Sequence, residues 1–322
     1  MSDDEADPEL LELLRKSLGI SNGRQVDAPP DTGVLSSAEH IYNNAIDVAL
    51  DMAGTKAAAQ KIHAMMSARQ YSTATWSSHE LHPKTKDEAT LNFIFTMDLL
   101  NFSFWSERPD AERFCVDYRG KRWTGYWSLV AALQRALDEG LFITSPSYWH
   151  REAGYNDEVF RHVFRSATSE PMPMLEERIA VLREAADVLF QHFNMNVTEI
   201  VQLANHSAAR MVNLLAEYFP SFRDETRFEG QKVRFLKRAQ ILVADVWACF
   251  DGEGPGHFTD VDKISMFAGL YCPPSFSTHH ANRYRLPYPS DPPYSQRTTI
   301  LPITRRRSSQ TRTHTIWLSM GD

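Results

Sequence analysis

Residues 174–218, MLEERIAVLREAADVLFQHFNMNVTEIVQLANHSAARMVNLLAEY, decide the fold class, because their apolar side chains recur mostly at the spacing of an α-helix. Within this stretch we expect two helices, over residues 174–193 and 197–218. The same spacing predicts further helices on either side, over residues 88–100, 125–140 and 230–250. The chain is therefore predicted to be mainly α-helical.

Two weaker patterns indicate where the domain begins and where it has a strand. Ser36 and Glu39 have capping-box spacing, which predicts a helix start, and residues 56–69 continue with helical spacing. The best strand signal is residues 114–119, before the turn at Gly120–Lys121. We expect a single helical domain with at most a small β-hairpin.

The overall composition excludes several classes of protein. With 322 residues, 43% of them apolar and 23% charged, the chain can bury a sizeable core. No stretch approaches the ~18 consecutive apolar residues of a membrane-spanning helix, so no membrane partner is expected. The formal net charge of -7 argues against nucleic acid polymers as partners.

The cysteines and the N-terminus indicate a reducing compartment. Cys115, Cys249 and Cys272 are odd in number and far apart, so they predict neither a disulfide framework nor a paired CxxC zinc site. The acidic start, MSDDEADPELLELL, lacks the basic and apolar regions of a secretory signal. We expect a cytoplasmic location, with the nucleus as a second one.

Composition also divides the chain into three parts. Residues 1–35 are predicted to form a short helix and a linker rich in Pro, Gly and Asp, and residues 36–269 the folded domain. Residues 270–322 contain seven Arg, no Lys and two Asp, a local net charge of +5, with seven of the 17 prolines. We expect this tail to be disordered or loosely attached.

Common catalytic signatures are missing from the chain, and a histidine pair and an aromatic cluster are better explained by structural roles than by catalysis. It has no Walker A loop, GxGxxG, HExxH or GxSxG motif, and no pair of CxxC motifs. His79 and His82 lie three residues apart, but a zinc site needs about four ligands, so a helix-end or loop role is favoured. The aromatic cluster in RWTGYWSL, residues 122–129, is best explained by core packing.

The segment TMDLLNFSFW, residues 96–105, places a carboxylate and an amide within a run of aromatic residues. Phe104 and Trp105 could stack on a flat base while Asp98 and Asn101 meet its polar edge. The alternative is an apolar helix end in which Asp98 is a satisfied cap.

Two charged pairs lie beside apolar helical segments. Arg223 and Asp224 follow a helix stop in FPSFRD; an arginine fork binds phosphate well, although an ion pair at a helix end is the stronger interpretation. Lys237 and Asp245 share one face of the predicted helix over residues 230–250. Because buried charge is costly unless paired or used, structural pairing and function both stay open.

The glycine loop GEGPGHFTDVD, residues 252–262, leads into a predicted helix from Val261. Thr259 or Asp260 is a natural N-cap for that helix, which is the simpler interpretation. The functional interpretation uses the same geometry, because a carboxylate at a loop-to-helix turn beside Phe258 can stabilise or attack an oxocarbenium cation.

Six stretches, in one order, resemble the queuosine salvage protein family. Several long motifs in one order are far more specific than any single motif, and these span most of the predicted domain. They are DLLNFSFWSE at 98–107, YRGKRWTGYWSLVAALQRALDEG at 118–140, ITSPSYW at 143–149, FPSFRD at 219–224, FEGQKVRFLKRAQILVADVW at 228–247 and FTDVDKISMFA at 258–268.

This resemblance implies a helical fold similar to helix-hairpin-helix DNA glycosylases. It implies hydrolysis of the N-glycosidic bond of queuosine 5'-phosphate, which releases queuine for tRNA modification, with no metal and no cofactor. The partner would be this small-molecule nucleotide, and no obligate protein partner is evident. Queuine is a 7-deazaguanine without the N7 that a purine hydrolase can protonate, and its cationic secondary amine suits acidic residues.

By motif position, the resemblance implies that Asp260 is the catalytic carboxylate, which stabilises the ribosyl cation or forms a transient covalent link. Phe258 would stack near the base. The other implied substrate contacts are Asp98, Asn101, Phe104 and Trp105 in the pocket wall, and Arg223 and Lys237, which bind the 5'-phosphate or orient Asp224 and Asp245.

The resemblance departs from the family pattern after residue 268. Family members continue with Asp-Tyr-Arg and then a Pro-Gln pair, whereas this chain reads AGLYCPP over residues 268–274. Gly269 cannot replace the base-contacting Asp of the family. The alternatives to an active hydrolase are an inactive truncated family member and a non-catalytic helical nucleotide-binding protein. A DNA glycosylase is disfavoured by the acidic net charge.

Overall fold

The fold is built mainly from α-helices, as the sequence predicts. The structure is a computed structural model that describes residues 30–46, 51–69, 74–150 and 156–265. The resemblance to helix-hairpin-helix DNA glycosylases stays a prediction. The helices in these residues are α1 (Val34–Asn44), α2 (Met52–Arg69), α3 (Ala74–Ser78), α4 (Glu88–Leu99), α5 (Tyr126–Asp138), α6 (Asp157–Val163), α7 (Leu175–His192), α8 (Val197–Ala204), α9 (Ala208–Tyr218) and α10 (Lys237–Cys249).

The central helix of the core is α4. Its N-terminus is capped by Asp87, whose carboxylate accepts a hydrogen bond from Thr90 N at 2.9 Å. Every residue from Phe93 to Leu99 is buried, because α4 packs against α10 and also contacts α5 and α8. This packing places Asp98 inside the core.

Two antiparallel hairpins lie between the helices. In the first, β1 (Val116–Tyr118) pairs with β2 (Lys121–Trp123) across a turn in which Arg119 and Gly120 have φ of 49° and 72°. Glycine adopts such left-handed φ at little cost, which explains the sharp reversal. β1 lies within the strand predicted over residues 114–119.

The second hairpin corrects the helix predicted over residues 230–250. β3 (Glu225–Phe228) pairs with β4 (Gln231–Arg234), and α10 begins only at Lys237. The chain reverses at Gly230, whose φ is 78°, so the residues that follow it return as a strand.

The helix predicted over residues 197–218 is two helices, α8 and α9. Asn205 and His206 have φ of 47° and 61°, a left-handed backbone that ends α8. Ser207 then caps α9, since its side-chain oxygen accepts from Arg210 N at 3.1 Å. The break leaves a tight turn at residues 205–207.

The start of α1 differs from the predicted capping box. The helix begins at Val34 with Gly33 as its N-cap, and the Ser36 hydroxyl donates to the Gly33 carbonyl at 3.1 Å. Ser37, which is buried, donates to the same carbonyl at 2.6 Å and accepts from Arg234 N at 3.0 Å. Contact with β4 therefore helps set where this helix starts.

The described residues bear on three expectations from the sequence, which concern membrane-spanning helices, metal sites and cysteines. None of their helices has the length and apolar character needed to cross a membrane. They hold no group of three or more His, Cys, Asp or Glu suited to a metal ion. Cys115 and Cys249 are free and buried. Most of the predicted N-terminal segment, and the tail from residue 270, lie outside the described residues, so the domain boundaries stay predictions.

Candidate active site

Asp98 and Asp245 form an acid pair where α4 meets α10. Asp98 is fully buried, and neither carboxylate oxygen has a hydrogen-bond partner among the described residues. Burial and the charge of Asp245 raise the pKa of Asp98 well above its ordinary value, although the nearby Asn101 side chain lowers it. Burial raises the pKa of Asp245 to about 7, against a hydrogen bond from Trp76. The pair therefore holds a proton at neutral pH.

The aromatic side chains of Trp76 and Tyr126 lie near this acid pair. The Tyr126 hydroxyl lies 3.1 Å from His82 Nε2 and 2.9 Å from Met97 Sδ, and burial with the two nearby Asp charges raises the pKa of Tyr126. His82 stacks on Trp76 with 3.9 Å between ring centres, and burial lowers the pKa of His82 to about 4. The Trp76 carbonyl, 2.9 Å from His82 Nδ1, can only accept. The neutral imidazole is therefore protonated on Nδ1, and its Nε2 competes with Met97 Sδ for the single Tyr126 hydroxyl proton.

The sequence predicts a helix-end or loop role for His79 and His82 and core packing for the residues of RWTGYWSL. His79 and His82 stack on Trp127 and Trp76, with ring centres 3.5 and 3.9 Å apart, so both belong to this aromatic group. As the pattern RWTGYWSL predicts, Tyr126 and Trp127 pack against the core. Trp76 forms a hydrogen bond with Asp245 on α10, and the spacing of residues in the sequence does not reveal this contact.

Two arginines, one buried and one half-buried, hold the loop after α4, residues 100–104. Arg178, on α7, is fully buried, donates to three carbonyl oxygens of this loop and lies 4.3 Å from the centre of the Phe102 ring. Arg238, on α10, lies 4.9 Å from the same ring and donates to the Leu99 carbonyl at 2.9 Å. Burial, with the charge of Arg238, lowers the pKa of Arg178 to about 9. Cations from two helices thus fix the loop.

The loop carries most of the predicted aromatic wall. Asn101 and Phe104 are partly buried, and Phe104 packs against the core. Trp105 is 49% exposed. The structure therefore brings Asp98, Asn101 and Asp245 together, with Phe104 on the same loop, and leaves Trp105 at the surface.

The residues predicted to bind or orient the 5'-phosphate lie between α9 and α10. The Arg223 side chain donates to the carbonyls of Ala216 and Glu217 at 2.8 and 2.5 Å, at the last turn of α9. A cation is stabilising there because helix carbonyls carry partial negative charge. The backbone carbonyl of Asp224 accepts hydrogen bonds from the segment that leads into α10. Lys237 is the first residue of that helix. Their substrate roles stay predictions.

Asp260, the predicted catalytic carboxylate, is held by the start of α9. Its Oδ1 accepts from Ala208 N at 2.6 Å, and its Oδ2 accepts from the Ser207 hydroxyl at 2.7 Å. The predicted cap of a helix from Val261 is wrong, because Asp260 precedes only a short 3-10 turn, Val261–Lys263, which its side chain does not cap. The carboxylate instead lies at the positive end of the α9 dipole, where negative charge is favourable.

Phe258, two residues before Asp260, is buried against the core. It lines a cavity of about 360 Å³ together with Gln202, Asn205 and His206. This cavity lies between the end of α8 and the loop that leads to Asp260. The predicted stacking of Phe258 on a base stays a prediction.

Comparison with known proteins identifies one family. The sequence model of the queuosine salvage protein family matches residues 81–317. The matched range contains every predicted site residue. It also runs past residue 269, into the segment in which the composition changes.

Three relatives from distant organisms carry the name queuosine 5'-phosphate N-glycosylase/hydrolase. The Schizosaccharomyces pombe protein is 43% identical over 246 residues, which cover 74% of this chain and 71% of the relative. The Mus musculus protein is 43% identical over 245 residues, covering 76% and 71% of the two chains. The Sphaerobacter thermophilus protein is 36% identical over 241 residues, covering 75% and 70%. This chain belongs to the queuosine salvage protein family.

Proposed function

We propose that this chain hydrolyses the N-glycosidic bond of queuosine 5'-phosphate and releases queuine for salvage into tRNA modification. The observation that carries the proposal is the family match over residues 81–317, which contains both the anchored Asp260 and the buried acid pair. Relatives that are 43% identical are named for this activity.

Asp260 is the proposed catalytic carboxylate. The bond between C1' and the base nitrogen breaks, its electron pair moves to the base, and the ribosyl group becomes cationic. Each oxygen of Asp260 keeps a lone pair beyond the one that Ser207 or Ala208 uses, so the carboxylate can stabilise that cation. Water then adds to C1' and loses a proton while the base gains one, which gives ribose 5-phosphate and queuine.

The geometry favours electrostatic stabilisation over a covalent link to Asp260. Both carboxylate oxygens already accept hydrogen bonds, from Ala208 N and from the Ser207 hydroxyl. Hydrogen bonds to a carboxylate withdraw electron density from its oxygens and so weaken it as a nucleophile, but they leave its negative charge in place.

The acid pair is proposed to recognise the cationic secondary amine of queuine. Asp245 is the partly exposed member of the pair, and Asp98 is the fully buried one. Two carboxylates that share one proton carry one negative charge, so a bound ammonium group makes the cluster neutral and lowers the cost of burying charge. Asn101, Phe104 and Trp105 would contact the flat base.

The 5'-phosphate is proposed to lie near Lys237. This residue begins α10, and the backbone N–H groups at a helix N-terminus favour an anion. Arg223 is the weaker candidate because its Nε and Nη2 already bind carbonyl oxygens of α9. In this arrangement Asp224 would orient a cation rather than meet the substrate.

A cytoplasmic or nuclear location is part of the same proposal. The free, buried thiols of Cys115 and Cys249 are typical of a reducing compartment. Fractionation of cells that produce a tagged chain, with antibody detection in each fraction, tests this location.

The activity is tested by incubating the purified chain with queuosine 5'-phosphate and following free queuine by chromatography. The matched control is Asp260→Asn, which keeps the size of the side chain and one acceptor oxygen but removes the charge. Release by the parent chain, with a loss of about 100-fold or more in the variant, supports the proposal. A folded parent chain that binds the nucleotide without releasing queuine selects the non-catalytic alternative.

A further inference from the structure

The turn between α8 and α9, residues 205–207, holds the segment that carries Asp260. The His206 carbonyl accepts from Thr259 N at 2.9 Å and from the Thr259 hydroxyl at 3.2 Å. The next residue of the turn, Ser207, donates from its hydroxyl to Asp260 Oδ2 at 2.7 Å. Two successive turn residues therefore fix two successive residues of the segment.

The Ser207 hydroxyl makes two contacts at once. As the N-cap of α9 it accepts from Arg210 N at 3.1 Å, and it donates its own proton to Asp260. A hydroxyl has one donor and two acceptor positions, so the contacts are compatible. Asp and Gly also serve as N-caps, but neither offers Asp260 a side-chain donor.

We propose that Ser207 is a positioning residue for the catalytic carboxylate. This inference rests on the proposed function, in which Asp260 faces the ribosyl cation. With only the Ala208 N–H bound, the carboxylate can turn about its Cβ–Cγ bond, and a second hydrogen bond to the other oxygen stops that rotation. Ser207 thus acts through Asp260 without touching the substrate.

The expected signature is a loss in kcat without a change in KM. Small displacements of a catalytic group can cost about 100-fold in rate, so removing the Ser207 donor should lower kcat by about 10- to 100-fold. Because Ser207 makes no substrate contact in this arrangement, KM should stay within about twofold of the parent value.

The test compares Ser207→Gly with Ser207→Thr in the full chain, with queuine release as the assay. Gly is a tolerated N-cap, so the helix start is kept while the donor is lost; Thr keeps both contacts and should stay within about threefold of the parent kcat. Asn196→Gly is the matched control, because Asn196 caps α8, accepting from Thr198 N at 2.8 Å, and does not bind Asp260. It should keep the parent kcat.

A purely structural role for Ser207 gives a different pattern. Ser207→Gly would then keep the parent kcat, or Ser207→Gly and Asn196→Gly would lose activity alike in proportion to their Tm losses. Either result overturns the inference.

A second measurement needs no activity. The Tm losses of Ser207→Gly and Asp260→Ala should not add in the double variant, because the two residues share one hydrogen bond. Additive losses overturn the inference. A parent chain that releases no queuine overturns the proposed function instead, and the Tm comparison then still decides whether Ser207 holds Asp260.

Discussion

At the acid pair, burial and like charge act in the same direction, because each raises the pKa of a carboxyl group. Moving a carboxylate from water into the core disfavours its ionised form, and a second carboxylate nearby adds to the effect. Asp98 shows both, since its oxygens are without hydrogen-bond partners among the described residues and its pKa is raised beside Asp245. A fully ionised pair would be uncompensated buried charge, so the proton it holds stabilises the fold.

This proton predicts how stability depends on pH. In the unfolded chain Asp245 titrates near its ordinary value of 3.8, whereas in the folded chain its pKa is about 7, so the folded state binds more protons between these values. Stability should therefore fall as the pH rises from about 4 to about 7. Asp245→Asn removes this contribution but leaves that of Asp98, whose pKa burial also raises, so we expect the variant's stability to fall less steeply with pH and to gain about 1–2 kcal/mol on the parent between about pH 5 and pH 8. Thermal unfolding across that range measures the gain.

The control for this prediction is an exposed carboxylate with the opposite shift. A hydrogen bond from Arg122 lowers the pKa of Asp117, so Asp117→Asn should keep the parent's fall in stability between about pH 5 and pH 8. If Asp245→Asn keeps that fall undiminished, the pKa of Asp245 is not raised in the folded chain.

The sequence predicts single site residues more readily than the contacts between them. Asp98 and Asp245 could be selected from the sequence because each is a carboxylate in an apolar segment, but only the packing of α4 on α10 shows that they form a pair. The sequence does not distinguish Arg178 and Arg238 from surface residues, because an arginine on an amphipathic helix usually faces solvent. Here both turn inward, towards backbone carbonyls that the sequence cannot reveal.

At the scale of elements, the long periodic segments were predicted well and the reversals were not. The helices α4, α5 and α7 fall inside the ranges predicted for them, since α5 and α7 each have an apolar stripe and α4 is a longer apolar run buried on all sides. The missed breaks depend on the backbone at one or two residues. Asn205 and His206 end α8 in left-handed conformation, and Gly230 turns β3 into β4 within a segment whose apolar spacing resembles a helix.

The loop at residues 100–104 should depend on Arg178. Arg178→Lys keeps the positive charge but loses the planar fork that reaches three carbonyl oxygens of the loop. We expect stability to fall by about 2–3 kcal/mol, and KM for queuosine 5'-phosphate to rise because Asn101 and Phe104 lie on this loop. Urea unfolding and steady-state kinetics measure the two effects.

The matched control for that prediction is an exposed arginine. Arg161, on α6, pairs with Glu176 at 2.9 Å at the surface, so Arg161→Lys should change stability by less than about 0.5 kcal/mol. Equal losses in the two lysine variants would show that the contacts of Arg178 with the loop add nothing to stability.

The segment before Asp260 is fixed by a close approach to α10. A Cβ at Gly256 would lie 2.8 Å from Phe250 Cβ and 2.8 Å from the Val246 carbonyl oxygen. Gly256→Ala should therefore lower the free energy of unfolding by about 1–3 kcal/mol and lower activity, because the segment has to move.

Gly140→Ala is the control: its φ of 78° is strained for Ala, but a Cβ there meets nothing within 4 Å. It should cost about 1 kcal/mol and leave queuine release unchanged. Unchanged release by Gly256→Ala would contradict the link to Asp260.

At the scale of the whole molecule, charge favours a small substrate over a polymer. The net charge of -7 divides into -12 for residues 1–269 and +5 for residues 270–322. The two arginines of the site, Arg178 and Arg238, bind backbone carbonyls and so present no row of cations to a phosphate backbone. Binding to nucleic acid normally needs several such cations, since each neutralised phosphate contributes to affinity.

The chain should therefore release queuine from the mononucleotide but not from intact tRNA. One preparation of queuosine-containing tRNA serves as its own control, because nuclease digestion converts the same nucleotide into its 5'-monophosphate. We expect no free queuine before digestion and full release after it, and none in either sample with Asp260→Asn, since that variant lacks the charge that stabilises the ribosyl cation. Release from undigested tRNA would mean that the site accepts a flipped base within a polymer, and the positive tail, rather than the acidic body, would then be the place to look for its phosphate contacts.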